Sequence, residues 1–589
     1  MTTKCRTFEK IRAFLALFFP FLLLSLSTSS TAALKLNLVQ PPQGRTLESY
    51  QALGAHAMVG TSNTQASQIG LDILKKGGNA ADAAIAVSFA LSVLRPQSTG
   101  IGGGGFLLFY NKEASKTIAL DFREKAPIKA TKDMYVRNGK PDTKLSQDGA
   151  LAVAVPRLVA GLGYVYEHYA SGKIAWADLI RPSISLAENG FAIYPQLANA
   201  LKERKKILAR FESSKRIFLP RGKLLKEGEI VVQKDLAKTL TTIAEKGWKS
   251  FYQGEIALQI VKTIQRHGGI LTLDDFQNVE PVEMESVTGS YRGYKIVSMP
   301  PPSSGGTILI EILNILEKFP LQRQGAYALK TIHEIAEAMK LGFRDRAKYL
   351  GDPRFVAIPV AGLIDKDYAK KLSQLIDPKQ ATPSSKLSEE GLPFKESNST
   401  THFSIVDQDG NAVSSTQTIN YIFGSGVVAA GTGIVLNDEM DDFSLQPGVP
   451  NVFGLVGSEA NAVAAGKTPL SSMTPTLVFD PHGELKMVVG SPGGPRIITA
   501  VLDTILNSID FHATPLQAVA AKRLHHQWLP DKLEVEPGLL SLPLRQKLEA
   551  MGHPIEEVTP SWLVMLVAKT KKGWVGVSDP RGVGAAMGY

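Results

Sequence analysis

The feature that most restricts the fold of this chain is a change of hydrophobic period about two thirds of the way along it. Residues 65–76 carry apolar side chains at helical spacing (Ile69, Leu71, Ile73, Leu74) and stop at Gly77-Gly78. Asn79 then opens an alanine-rich run over 80–87, which predicts a buried helix, because alanine packs closely and favours helix. Residues 174–279 read as helices joined by short turns, a helix-rich lobe. Between them, 106–110 and 117–122 read as strands. Residues 291–297 read as a further strand, and the loop 300–306 leads into a helix over 307–319. After a polar stretch at 366–395, taken as a surface linker, the period becomes two. Residues 402–406, a turn at Asp409-Gly410 and 412–418 predict a hairpin. Further strands are expected at 427–430, 433–436, 476–479, 486–490 and 563–569. Helix-rich sequence followed by strand-rich sequence, with no internal repeat, predicts a layered α/β (α+β) fold.

Composition removes several classes. The 589 residues are 44% hydrophobic and 20% charged, which excludes a disordered chain, a coiled coil and a polytopic membrane protein. The net charge is +10, and the first twelve residues account for +3 of it. The remaining +7 is scattered, with aromatics at only 7%. No basic stripe for a nucleic acid is present, and the charge reads as a solvated surface. The one cysteine, Cys5, lies near the N-terminus. Disulfides within the folded body, Cys-ligated zinc and thiol catalysis are therefore excluded, and the chemistry must rest on hydroxyls, carboxylates, amines or histidine.

Residues 1–33 have the order of an export signal: a basic start to Arg12, an apolar run over 13–26, then small and polar residues ending Thr31-Ala32-Ala33. The alternative is an uncleaved anchor, because no charge appears between Arg12 and Lys35. Pro20 and the Ser/Thr run leave an apolar core shorter than the ~20 residues a span needs, so no stable membrane span is expected. Either reading places the body outside the cytoplasm, periplasmic or secreted.

Several motifs fail. Residues 100–105 match G-x-G-x-x-G, but a strand follows where a dinucleotide site needs a helix, so a tight loop with close backbone packing is expected. His333-Glu334-Ile335-Ala336-Glu337 is one residue from H-E-x-x-H, with no Cys or nearby His to complete a zinc set. P-loop and G-x-S-x-G signatures are absent. Asn398-Ser399-Thr400 fits a glycosylation acceptor, relevant only in a glycosylating host.

The remaining constellation is Ser399-Thr400-Thr401-His402-Phe403-Ser404. On residue types alone it is a polar strand edge. The alternative is that the bond before Thr400 is cut. Thr400 would then carry a hydroxyl and a free α-amine, whose ordinary pKa near ~8 lets it take the hydroxyl proton. Read in the same way, Asp441-Asp442 is a solvated turn and Arg123 a surface ion pair.

At this point the sequence resembles the γ-glutamyltranspeptidase (glutathione hydrolase) family, in its bacterial form. The resemblance runs from about His56 to Tyr589. It is carried by Gly78-Asn79-Ala80-Ala81-Asp82-Ala83, Gly102-Gly103-Gly104-Gly105-Phe106, Asp121-Phe122-Arg123-Glu124, Pro300-Pro301-Pro302-Ser303-Ser304-Gly305-Gly306, Tyr349-Leu350-Gly351-Asp352-Pro353, Thr400-Thr401-His402, Met440-Asp441-Asp442-Phe443, Pro469-Leu470-Ser471-Ser472-Met473 and Gly490-Ser491-Pro492-Gly493-Gly494, in that order.

The resemblance implies an αββα sandwich of the N-terminal nucleophile hydrolase type. It implies self-cleavage at Ser399–Thr400 into a large subunit (34–399) and a small subunit (400–589) that remain a heterodimer. Thr400 is the implied nucleophile, Thr418 its hydrogen-bonding partner, and Gly493 and Gly494 the oxyanion donors. Arg123, Ser471 and Ser472 would hold the substrate α-carboxylate, and Asn420, Glu439 and Asp442 its ammonium. The implied substrates are glutathione and other γ-glutamyl compounds, with water or an amino acid or dipeptide amine as acceptor. Neither metal nor organic cofactor is implied. Residues 444–454 resemble a lid loop, with Phe453 where related bacterial enzymes often carry Tyr. Rival readings are a cephalosporin or glutaryl acylase, a poly-γ-glutamate-processing relative, and an inactive exported binding protein.

Overall fold

The computed structural model describes residues 36–42, 44–387, 399–446, 459–559 and 562–589. The leader at 1–33, Asn398 and Phe453 of the expected lid lie outside the described residues. Fourteen strands build two sheets: β1 (Gln51–Gly54), β2 (Met58–Thr61), β3 (Gly104–Asn111), β4 (Lys116–Asp121), β5 (Val282–Glu285), β6 (Val287–Tyr291), β7 (Tyr294–Ser298), β8 (Thr401–Val406), β9 (Ala412–Thr418), β10 (Thr476–Phe479), β11 (Leu485–Gly490), β12 (Met565–Thr570), β13 (Gly573–Ser578) and β14 (Ala585–Gly588). One sheet has the order β14-β2-β8-β9-β3-β4-β5, the other β1-β13-β12-β11-β10-β7-β6. Every neighbouring pair in both is antiparallel.

Period-two alternation assigns side chains to layers. Phe106 and Leu108 of β3 meet Leu477, Val488 and Val567 of the second sheet in a core between the sheets. Leu107 and Phe109, one residue out of phase, join Phe89 and Leu91 on the outer face. The second sheet repeats the division: Val478, Val489 and Leu566 point outward to Ile308, Ile312, Ile498 and Leu502. Helices cover both outer faces. Against the first sheet lie α1 (Thr64–Lys75) and α2 (Ala80–Leu94), with α3 (Trp176–Asn189) packed on α2 and α4 (Lys234–Lys246) on α3; against the second lie α5 (Gly305–Leu316) and α7 (Arg496–Ile509), with α6 (Leu329–Tyr349) packed on α5. The result is the expected αββα order. Leu179, Ile180 and Leu240 of the helix-rich lobe continue the same cluster that α2 anchors.

The alanine run forms α2 because its start is well capped. The Asn79 side chain accepts from the backbone of Ala81 and Asp82, and Asp82 returns a bond to the Asn79 N–H. All fifteen residues of α2 are buried, which small side chains permit.

Some local expectations change. The strand expected at 291–297 is the second half of a hairpin, with Arg292 and Gly293 in the left-handed region (φ 51° and 85°) at its turn. Residues 427–436 make isolated bridges, Val428 to Val435 and Leu436 to Gly102, rather than two strands, because Gly431 and Gly433 (φ 74° and 71°) curl the chain. The polar stretch 366–395 begins with a helix, Lys366–Ser373, whose Ala369 and Leu372 are buried. The glycine loop is tight as expected. A Cβ on Gly103 would stand 2.0 Å from Thr418 O, and one on Gly102 2.2 Å from Val435 O.

Candidate active site

Thr400 immediately precedes β8, and the β8–β9 register (Thr401 opposite Gln417) brings Thr418, the last residue of β9, beside it. Alternation sends Thr401 to the helical side, where its Oγ1 lies 2.6 Å from Ser62 Oγ. Thr400 and His402 face the space between the sheets. The His402 ring bonds Thr416 Oγ1 (2.8 Å) and Ser404 Oγ (3.2 Å) and fills the room left by Gly490, whose Cβ would stand 2.2 Å from it. Burial pushes its pKa down to about 3, so this histidine is a neutral packing group.

The Ser399 carbonyl oxygen accepts from two hydroxyls, Thr400 Oγ1 at 2.8 Å and Thr418 Oγ1 at 3.0 Å. The two Oγ1 atoms are 3.3 Å apart, and Thr418 Oγ1 also accepts from the Asn420 N–H at 2.8 Å. Asn420 reaches this position in the left-handed region (φ 69°), and its Nδ2 donates to Asp438 O. The bond expected to be cut therefore has its carbonyl gripped by donors and the expected nucleophile alongside.

The same cleft is lined by Arg123, Thr400, Thr418, Asn420, Glu439, Asp442, Ser471, Ser472, Met473, Gly494 and Ile497. Nine of the ten expected catalytic and binding residues thus meet, although they come from positions 123 to 494. The tenth, Gly493, precedes Gly494 on the turn into α7; both have positive φ (131° and 59°), and Gly493 packs against Trp562. Ser399 stands behind Thr400, its Oγ donating to Gln97 O at 2.6 Å.

Arg123 is a buried ion-pair centre (1% exposed), not a surface one. Its Nη1 donates to Glu439 Oε1 at 2.5 Å, its Nη2 to Asp442 Oδ2, and its Nε to Pro469 O at 2.9 Å. Burial alone would loosen the guanidinium proton; Glu439 and Asp442 more than reverse this. Burial raises Glu439 to about 8, with Arg123 opposing. Asp442 is also raised by burial against the pull of Arg123. Asp441 is no solvated turn residue: it is fully buried, bonds Ser146 Oγ and Gln147 Nε2, and is raised to about 7 by burial.

Two further residues complete the site. Glu124, fully buried, is raised well above the usual carboxylate range by burial and then by Glu439. Its carboxyl occupies space left by Gly104, where a Cβ would stand 2.6 Å from Oε2. Arg346 of α6 donates to Ser472 Oγ and Ser304 Oγ, both at 2.9 Å. Ser304 Oγ in turn donates to Ser471 O at 2.6 Å, so the 300–306 loop fixes the two serines. Adjacency to Arg123 was the sequence signal for Glu124; Arg346 had none.

The H-E-x-x-E segment acquires a histidine that sequence neighbourhood did not supply. His553 Nε2 lies 2.8 Å from His333 Nδ1, and with Glu337 the three side chains form a cluster. Lys340 lies beside that cluster, donating to Glu337 Oε1 at 2.8 Å and standing 3.6 Å from Asp531.

Known proteins resemble this chain over most of its length. The chain is 46% identical over 530 residues to the glutathione hydrolase proenzyme of Escherichia coli K12, spanning 89% of this chain and 90% of that one. Its fold matches the cephalosporin acylase of Bacillus halodurans with a TM-score of 0.80 at 29% identity, covering 94% and 98% of the two chains. It matches the γ-glutamyltranspeptidase of Helicobacter pylori at 44% identity with a TM-score of 0.53, over 60% of this chain and 95% of that one. The sequence model of the family described as Gamma-glutamyltranspeptidase covers residues 66–589, the whole stretch that builds the cleft around Thr400, and the chain belongs to that family.

Proposed function

We propose that this protein is a self-cleaving γ-glutamyl acyltransferase and glutathione hydrolase. The observation that carries the reading is the pair of hydroxyls on the Ser399 carbonyl, set in a cleft that also holds a buried guanidinium with two carboxylates. In the first reaction Thr400 Oγ1 adds to the Ser399 carbonyl carbon, and the Thr418 hydroxyl donates to the oxyanion. The C–N bond breaks, the hydroxyl proton ends on the departing nitrogen, and an ester remains. Water hydrolyses that ester, freeing a Ser399 carboxylate and restoring the Thr400 hydroxyl beside the amine released in the first step.

The released amine, with an ordinary pKa near ~8, then serves as proton acceptor for its own hydroxyl. A γ-glutamyl head is zwitterionic. Its carboxylate suits the Arg123 fork with Ser471 and Ser472, and its ammonium suits Glu439, Asp442 and Asn420. Binding therefore exchanges one set of ion pairs for another inside a buried site, without leaving a net charge stranded. The γ-carbonyl oxygen, negative in the tetrahedral state, would take the N–H groups of Gly493 and Gly494. Loss of the amine leaves a γ-glutamyl ester on Thr400, which water hydrolyses or an amino acid or dipeptide amine takes over.

The topology supports a heterodimer that survives the cut. In the first sheet β8, β9 and β14 follow Ser399 while β2, β3, β4 and β5 precede it; in the second, β10 to β13 follow and β1, β6 and β7 precede. Each subunit thus completes both sheets of the other. Export by residues 1–33 is part of the same reading; among the described residues no helix is long and apolar enough to cross a membrane.

The test is to compare γ-glutamyl-p-nitroanilide with glutaryl-p-nitroanilide, which lacks the ammonium. The anchoring acids predict clear preference for the γ-glutamyl compound; preference for the glutaryl compound rejects the assignment in favour of an acylase.

A further inference from the structure

Arg95, at the C-terminal end of α2, is 5% exposed and has no carboxylate partner among the described residues. Its Nη1 donates to Ser62 O and its Nη2 to Ser98 Oγ, both at 3.3 Å, while Nε has no partner. Its guanidinium carbon lies 6.0 Å from the centre of the Tyr194 ring. A buried guanidinium is costly unless paired, so a fork spent on two long bonds to neutral groups calls for a reason.

The reason lies in what those two bonds connect. Ser62 Oγ, on the loop after β2, holds Thr401 Oγ1 at 2.6 Å. Gln97, two residues beyond Arg95, holds Ser399 through its carbonyl oxygen at 2.6 Å, and the loop is turned back on itself by Ser98 N–H to Arg95 O. Ser399 and Thr401, the residues that flank Thr400, are therefore gripped by two separate loops, and Arg95 bonds to both loops. It touches neither the carbonyl nor the Thr400 hydroxyl.

We propose that Arg95 is a positioning residue for self-cleavage, holding the Ser62 and Gln97–Ser98 loops at the separation that keeps the Ser399 carbonyl against Thr400 and Thr418. The proposal rests on cleavage at Ser399–Thr400. Its demand falls on the uncut chain; once the bond is broken, the Ser399 grip has no further role in turnover, and donor binding relies on Arg123 and its partners.

The test follows conversion of full-length precursor to two chains by intact mass, for wild type, Arg95→Ala and Arg95→Lys. Misplacing a reacting pair slightly costs much rate, so Arg95→Ala is expected to convert at least about tenfold more slowly. Arg95→Lys, able to keep one of the two bonds, should fall between it and wild type. Fully cleaved Arg95→Ala should show KM and kcat for γ-glutamyl-p-nitroanilide within about twofold of wild type, a split that a general loss of packing does not produce. If Arg95→Ala yields no folded protein, the lysine variant carries the same comparison. Conversion of the variants at the wild-type rate, or a matching loss of kcat after cleavage, overturns the proposal while leaving the function intact. A wild type that stays uncut contradicts the function and this inference together.

Discussion

Replacing Thr418 by valine removes one hydroxyl and little volume, and the structure sets the size of the consequence. Thr418 Oγ1 donates to Ser399 O at 3.0 Å and accepts from the Asn420 N–H at 2.8 Å. While the Ser399 carbonyl is neutral, the lost bond is worth about 1 kcal/mol. As Thr400 attacks, that oxygen becomes an oxyanion, and loss of a preorganised donor then costs about 3–4 kcal/mol, or roughly 10²–10³ in rate. Thr418→Val should therefore slow appearance of the two chains by that factor, followed by intact mass after rapid purification. Thr418→Ser, which keeps the hydroxyl, should remain within a few-fold of wild type. The same valine leaves the buried Asn420 N–H without its acceptor, so the precursor should also lose about 1–3 kcal/mol of stability. Conversion of Thr418→Val within about threefold of wild type would refute the assignment of Thr418 as donor to the scissile carbonyl.

Other expectations follow from the same site. Arg123→Ala should raise KM for glutathione and lower the Tm, because it strands two buried carboxylates, a change that typically costs about 3–5 kcal/mol; unchanged apparent affinity contradicts the carboxylate-binding role. Asp441 sets a pH dependence. Its carboxyl titrates near 7 in the fold against about 3.9 when unfolded, so the native state holds the proton more tightly. Its contribution to stability is complete below about pH 4 and is lost as pH rises to about 7. Asp441→Asn, unable to titrate, should flatten the fall in Tm across that window; a slope identical to wild type shows that Asp441 is already ionised in the fold.

How much of this was legible beforehand depended on whether the signal was local. The α2 helix could be read because Asn79, Asp82 and the alanine run lie within one segment. The 402–418 hairpin could be read because its turn and alternation are contiguous. The strand pair at 427–436 was misread because its apolar pattern hid the two glycines that curl it. The site residues came from ordered motif resemblance; no local pattern marks Arg123, which in isolation looked exposed. Its burial is created by Glu439 and Asp442, 316 and 319 residues away. The same distance effect hid Arg346 behind Ser472, Asp441 behind Ser146, and His553 beside His333. Charge pairs of this kind are properties of the assembled layers, and only the fold brings their members together.

The central claim is a single backbone scission that turns Thr400 into an N-terminal nucleophile. N-terminal sequencing with intact mass of the purified wild type, alongside Thr400→Ala, tests it most directly. The account predicts two chains from the wild type, one of them beginning Thr400-Thr401-His402, and one continuous chain through that junction from the variant. A wild type that consumes glutathione while still continuous from Ser399 to Thr400, or a Thr400→Ala chain cut at the same bond, would contradict it.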